Sequence, residues 1–504
     1  MILSAAPLFI FVAFVSLVIP FVRSARRRDL LGIPGPFWAK FTNLWRFSDV
    51  LGGAHHETIM RLHKENGPLV RLGPNSVSIA DPKMIEKIYG LRANFPKSEF
   101  YSVFEQLVNG QPVSTLFTVV PERAHAALKR PVSAAYSMST LTQYESIVDR
   151  TIQKFLGRLE EEFAKGESVG KVCPISKWVQ WYAFDVIADI TWSSQLGFLD
   201  SAKDVDNMIK QLDDVLEWVA PVGQLPFIDR LYKHFASMTR QPDSPILKFA
   251  VGRVLQRLNN NDPTEQRAPD FLDKFLKAKS NESGQFQVPE ILQYLMSNIA
   301  AGSDTTAISL RSILYYLLKH PQAHHKLVEE LKSTKFESFP VSWKESQSLP
   351  YMDACVKEAM RLHPAVGMNM ERVVPASGLE LPDGAGRIQP GTVVGVNAWV
   401  IHRDPSVFGD HPDDFIPERW LQSKNEDADH FTARIGAMKR ADLTFGYGSR
   451  TCIGKNIALL EIYKVLPSLL LSFDISLADQ AQKWHLKNSW FVRQSGIDVV
   501  LKKR

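Results

Sequence analysis

From Pro289 to His320 the apolar residues recur at helical spacing without a break. Pro289 and Glu290 suit a first helical turn, and Pro321 cannot continue the helix, so one element is predicted between them. At 1.5 Å per residue it would span about 48 Å, enough to cross a whole domain. The rest of the chain has to pack around such a rod.

Most of the pattern at 122–335 is helical as well. Leu69 to Ala80 is different: its apolar residues alternate and Gly73-Pro74-Asn75 supplies a turn, so a β-hairpin is expected. Asp81-Pro82 then starts a helix. Asn259 to Pro269 is polar and reads as a surface loop. After residue 364 Gly, Pro and β-branched residues predict short strands and loops, closed by a helix around 454–471. The predicted class is mainly α with a smaller β-rich portion, in one large domain over 37–504.

Ile2 to Val22 carries no charged side chain, and Arg23, Arg26, Arg27 and Arg28 follow at once. About 20 apolar residues cross a bilayer, and flanking arginines stay on the cytoplasmic side. Residues 1–22 are therefore expected to be a transmembrane anchor preceding a cytosolic body. A cleaved signal peptide would carry its positive charge before the apolar run instead. Residues 23–36, ending in Ile33-Pro34-Gly35-Pro36, read as a basic, Pro-rich spacer, since proline fixes φ and lacks an N–H.

The net charge of +5 over 504 residues is no nucleic-acid signature, because phosphate binding needs clustered basic residues. Three cysteines, Cys173, Cys355 and Cys452, exclude a disulfide framework and a cysteine-rich zinc site.

One of the three stands in a distinctive setting, Phe445-Gly-Tyr-Gly-Ser-Arg450-Thr-Cys452-Ile-Gly454. Its glycines permit a tight turn and close approach of backbone to a flat group. Cys452 precedes an apolar helical stretch, and a helix N-terminus favours thiolate over thiol. A thiolate so held is a strong axial ligand for iron. A cysteine nucleophile is the rival, but it needs a histidine base that no neighbour supplies.

Three further patterns accompany it. Glu358 and Arg361 share one helical face. Ala301-Gly302-Ser303-Asp304-Thr305-Thr306 lies midway along the long helix. Gly302 would let a flat group approach, and a Thr hydroxyl either bonds the carbonyl one turn back or is diverted to a ligand. Acid–hydroxyl pairs suit proton delivery, whereas the bland alternative is a self-bonded Thr and a solvated Asp. His125-Ala-Ala-Leu-Lys129-Arg130 is a shorter basic stretch.

Together these residues resemble the cytochrome P-450 family in its microsomal form, and the wording at 298–320 and 355–376 is similar to the fungal branch that includes pisatin demethylase. The resemblance runs from the anchor to residue 504. It implies the P-450 fold, one haem b with Cys452 as iron ligand, and Phe445 and Gly302 against the haem. His125 and Lys129 stand where W-x-x-x-R holds a propionate, with Arg130 as the alternative to Lys129, and Arg372 and Arg450 resemble two more propionate contacts. Glu358, Arg361 and Arg419 of Pro417-Glu418-Arg419-Trp420 match a buried structural trio. Asp304 and Thr305 would guide protons to dioxygen.

The same resemblance implies electrons from NADPH through a membrane-bound reductase, docked on Lys439, Arg440, Lys455 and Lys129. It places the protein in the endoplasmic reticulum membrane, facing the cytosol. The segment Tyr101–Val120, Asn298, Ala301, Val366, Met368, Asn369 and Met370 would line a pocket for a lipophilic molecule, with Asn369 as polar handle. The implied activity is a monooxygenase of secondary metabolism. Oxidative coupling, desaturation or isomerisation, and a non-catalytic haem sensor, are the alternatives.

Overall fold

The computed structural model describes residues 27–108, 110–237, 245–259, 269–283, 288–384 and 386–504. The expected anchor 1–22, the first residues of the spacer and nearly all of the loop at 259–269 lie outside them. No helix among the described residues is long and apolar enough to cross a membrane.

The spacer's described part is seated on the body. Leu30 and Ile33 are buried in one cluster with Val77, Ile79 and Val394. Arg27 bonds Asp29, Asn75 and Thr392, and Arg71 N donates to Pro34 O at 2.7 Å. Burial of these two apolar side chains seats residues 27–36 on the sheet.

The hairpin forms as β1 (Leu69–Gly73) and β2 (Ser76–Ile79), antiparallel with a register shift between Arg71 and Gly73. Next come α1 (Lys83–Tyr89), with its first N–H on the Asp81 carboxylate, and α2 (Glu122–Lys129). The helical body includes α3 (Ile175–Trp192), α4 (Met208–Val222), the long α5 (Val288–Lys319) and α6 (Pro350–Leu362). β3 (Arg372–Val373) and β4 (Val393–Gly395) complete a four-stranded sheet ordered β1-β2-β4-β3, in which β2 and β4 run parallel. The closing helix is α7 (Lys455–Ser472), followed by the hairpin β5 (His485–Ser489) and β6 (Phe491–Ser495).

One large apolar core unites α3, α5, α6 and α7. α3 is buried nearly all round, so it lies within that core rather than on its surface. Where α5 passes α3, Gly302 allows the close approach: a Cβ there would meet Ile187 Cγ1 at 3.1 Å. Gly302 was expected to face a flat cofactor. The side a Cβ would occupy faces Ile187 of α3, so its smallness serves helix packing, while Gly302 itself stays half-buried.

Candidate functional site

Two glycines shape the turn before Cys452. Gly446 has φ +72° and Gly448 has φ +63°, in the left-handed region. A Cβ on Gly448 would lie 1.9 Å from Tyr89 O, so the loop presses directly on the end of α1. Cys452 N donates to Phe445 O at 2.8 Å and closes the loop. The Phe445 ring lies beneath the Lys455 ammonium at 5.6 Å.

Cys452 is enclosed by protein, yet its side chain is open and makes no disulfide. Burial pushes the thiol up, while N–H groups of Gly454 and Lys455 and the charges of Lys455 and Lys129 pull it down. The helix-end donors expected from the sequence are present, but burial outweighs them. A metal cation reverses this balance, since a coordinated thiol is deprotonated outright.

Tyr136 links this loop to α5. Its carbonyl accepts from Asn456 Nδ2 at 3.0 Å, and its hydroxyl donates to Asn298 Oδ1. One turn further along α5, Ala301 is exposed in mid-helix. Thr305 Oγ1 donates to Ala301 O at 2.7 Å, so α5 continues unopened through the motif. Asp304 is wholly buried on another side of the helix. Its Oδ1 accepts from Gln180 Nε2 at 3.1 Å, and burial raises its carboxyl to about 6 against the pull of Arg311. The acid and the hydroxyl expected to work as a pair are thus not in contact.

The charges around the loop differ from expectation in detail. Lys129 Nζ donates to Ser449 O at 3.2 Å, whereas Arg130 is exposed. Arg450, expected as a propionate contact, donates to protein groups: Nε to Glu122 Oε1 at 2.8 Å, Nη1 to Val119 O and Nη2 to Val120 O. Arg372 is buried over the Tyr89 ring and donates to Glu371 O at 2.9 Å. His125 is buried, and burial beside Arg450 lowers it to about 4, leaving a neutral ring at neutral pH.

A fourth cation was not legible. Lys97 pairs with Arg372 through an isolated β-bridge, donates to Phe117 O and stands over the Tyr101 and Phe117 rings at 4.2 and 4.5 Å. Burial beside Arg372 and Arg450 holds its ammonium well below the ordinary lysine range. A lone Lys between Pro96 and Ser98 carries no sequence signal; only the bridge to Arg372 gives it meaning.

A family model described as Cytochrome P450 matches residues 33–500. The chain belongs to the cytochrome P450 family. It is 39% identical over 484 residues to the cytochrome P450 monooxygenase cicH of Emericella nidulans, covering 95% of each chain. A cytochrome P450 monooxygenase of Aspergillus terreus is 40% identical over 493 residues, covering 94% of this chain and 95% of its own. Cytochrome P450 monooxygenase cfoH of Aspergillus candidus is 35% identical over 472 residues, covering 93% and 88%. The protein is an oxidoreductase of this family, which works with haem iron, dioxygen and electrons from a reductase.

The residues present suit that group. Lys97, Arg372 and Arg450 face one another inside the protein; the Glu122 carboxylate pairs directly with Arg450 and acts on Lys97 through its charge alone. Nearby Glu371 is held by Arg46 at 3.0 Å and by Ser98 at 2.5 Å. Buried charges of one sign need counter-charges, and a P450 haem brings two propionates. Cys452 offers the open thiol.

The Glu358 trio is assembled as its pattern implies. Arg419 Nε donates to Glu358 Oε1 at 2.7 Å and Trp420 Nε1 to Oε2 at 2.9 Å. Arg361 adds His402 O and Pro412 O to its two bonds on Glu358, tying α6 to the segment before the cysteine loop.

The residues expected to line a pocket make the following protein contacts. Asn298 Oδ1 accepts from the Tyr136 hydroxyl, while its Nδ2 is buried with no hydrogen-bond partner among the described residues. The Asn369 amide, expected as a polar handle, accepts from Asn397 Nδ2 at 3.1 Å and donates toward Gly395 O, so its polar atoms serve the fold. Met370 packs on the cluster of Val77 and Val394. Met368 is buried with Phe100, Tyr101 and Trp490, and Val366 bridges Phe491. Trp490 itself was not foreseen. It turns the β5–β6 hairpin at φ +78°, with its indole among Phe100, Phe104 and Phe117. An aromatic residue at a hairpin tip was the available signal.

Proposed function

We propose that this P450 is a membrane-anchored haem-thiolate monooxygenase that oxidises a lipophilic small molecule, using electrons from an NADPH-dependent reductase. The observation that carries the reading is the open Cys452 thiol at the foot of α7, beside buried cations that lack enough carboxylates. Haem, once bound, supplies reduction and cleavage of dioxygen and transfer of one oxygen atom.

The chain's own groups do the rest. Cys452 is the iron ligand, with the N–H groups of Gly454 and Lys455 and two nearby ammonium groups supporting its negative charge. Lys97, Arg372 and Lys129 hold the propionates, and His125 supplies a neutral ring beside them. Arg450 braces residues 119–122 against the loop, so its effect on haem passes through Glu122 and Lys129. Ala301 and the Thr305 hydroxyl border the reacting space, and Asp304 holds a proton behind them. Phe100, Phe117, Val366, Met368 and Trp490 keep that region apolar and exclude water. Lys439, Arg440 and Lys455 are exposed and offer an acidic reductase a basic face. Residues 2–22 anchor the protein in the endoplasmic reticulum membrane, and the fungal relatives support a substrate from secondary metabolism.

The test is the carbon monoxide difference spectrum of the reduced, membrane-expressed protein beside Cys452→Ser. A strongly red-shifted Soret band that the variant loses supports thiolate ligation. A band of His-ligated or neutral-thiol type in folded protein overturns it.

A further inference from the structure

Asp304 is held by something the motif does not contain. Gln180, on α3, donates Nε2 to Asp304 Oδ1 at 3.1 Å. The other end of the same amide, Oε1, accepts from Arg311 Nη2 at 2.6 Å. Arg311 is itself buried, and its Nε is fixed on Ser176 O at 2.8 Å. The second carboxyl oxygen, Asp304 Oδ2, is buried with no partner.

The order of these contacts has a chemical consequence. A guanidinium only donates, so the amide end that meets Arg311 must be its oxygen. The NH₂ end is then forced toward Asp304. A donor on Oδ1 favours the ionised carboxylate and leaves Oδ2 as the atom that takes a proton. Without Arg311 the amide is free to turn and present its oxygen, which would favour the protonated acid. Among the described residues Arg311 is the one charged group acting on Asp304, and the facing side chain from α3 is neutral.

We propose that Gln180 and Arg311 are positioning residues that orient Asp304, occupying Oδ1 and reserving Oδ2 as its proton-carrying atom. This rests on the monooxygenase reading for its use, but not for its measurement. Burial works against the ionised acid and the Arg311 charge pulls the other way; the amide donor on Oδ1 acts in the same direction as Arg311.

The test is the infrared C=O band of the protonated Asp304 carboxyl in the haem-bound protein, assigned by its loss in Asp304→Asn and followed against pH. Gln180→Leu removes the donor, and Arg311→Met removes both the charge and the lock on the amide. Each is expected to move the midpoint of the band upward by about one pH unit. Arg311→Lys keeps a charge and a donor for the amide oxygen and should restore most of the native midpoint. Gln180→Met is read in the same way should the leucine variant fail to fold. An unmoved midpoint in a folded Gln180 variant overturns the proposal. So does an Arg311→Lys shift as large as that of Arg311→Met, which would put the effect in packing. The carbon monoxide spectrum reports on the thiolate and the carboxyl band on Asp304, so the two readings fail separately.

Discussion

Arg361 grips both carboxylate oxygens of Glu358, Nε on Oε2 and Nη2 on Oε1, each at 2.8 Å and within one turn of α6. Both side chains are buried, so neither charge has water to fall back on. Despite that burial, the Arg361 bonds and charge, with Arg419, hold the Glu358 carboxyl below the usual range. Replacing Glu358 by Ala strands two guanidinium groups and the Trp420 N–H. The expected cost is about 3–5 kcal/mol, read as loss of folded, haem-retaining protein in urea unfolding. Glu358→Gln keeps the shape without the charge and should still lose most of the stability; a native-like midpoint would contradict the role given to the charge.

Gly448→Ala should be more damaging than a single methyl suggests. Its φ of +63° is strained for alanine, and the added Cβ meets Tyr89 O at 1.9 Å. The expected destabilisation exceeds about 2 kcal/mol. Gly454→Ala at the other end of the loop is the informative comparison, because its Cβ would be 3.8 Å from Cys452 Sγ and would mainly perturb the thiolate band.

Lys97→Met is expected to act in opposite directions on two states. Without haem, removal of a buried ammonium relieves repulsion with Arg372 and Arg450, and the chain should melt at a higher temperature. With haem it deletes a charge-assisted bond of about 1.5–3 kcal/mol, so haem retention should fall about ten- to a hundredfold. Haem transfer to apomyoglobin measures the second effect. Parallel changes in both states would refute the assignment.

Asp304 predicts a pH dependence of defined sign. Its carboxyl sits at about 6 in the fold against 3.8 in the open chain. Between those values the folded protein holds a proton that the unfolded chain has released. Stability therefore falls as pH rises through this window and levels off above it. At 1.36 kcal/mol per unit the whole effect is about 3 kcal/mol. Asp304→Asn removes it, so the stability advantage of the variant over the native protein should grow between pH 4 and 7. A constant difference across that range would show that burial is not governing this group.

Local chemistry accounts for what the sequence made legible. The hairpin at Leu69–Ala80, the long helix and the start of α7 all depend on spacing and turn residues that lie within one stretch of chain. The Glu358 trio was readable because its pattern carries both the charges and their spacing. What escaped depends on which side of a helix or strand meets a distant neighbour. Asp304 and Thr305 are adjacent in sequence but one position apart on a helix, about 100° in rotation, and that is enough to send one to Gln180 and the other to its own backbone. Gly302 is turned toward Ile187 for the same reason. Lys97 and Asn369 acquire their parts from register with β3 and β4, which no nearby residue announces.

The sheet order β1-β2-β4-β3 also sets a timetable for synthesis. The hairpin at residues 69–79 leaves the ribosome early, but the strand that completes it, Val393–Gly395, emerges only after α5 and α6. Tyr89 and Glu122 wait longer still, since Gly448 and Arg450 are made after that strand. For most of its birth the nascent chain exposes an open β-edge and an uncovered apolar face, the condition that recruits chaperones. The cysteine proposed to hold the iron is made after α5 and α6, so a chain that captures haem there has already released those helices.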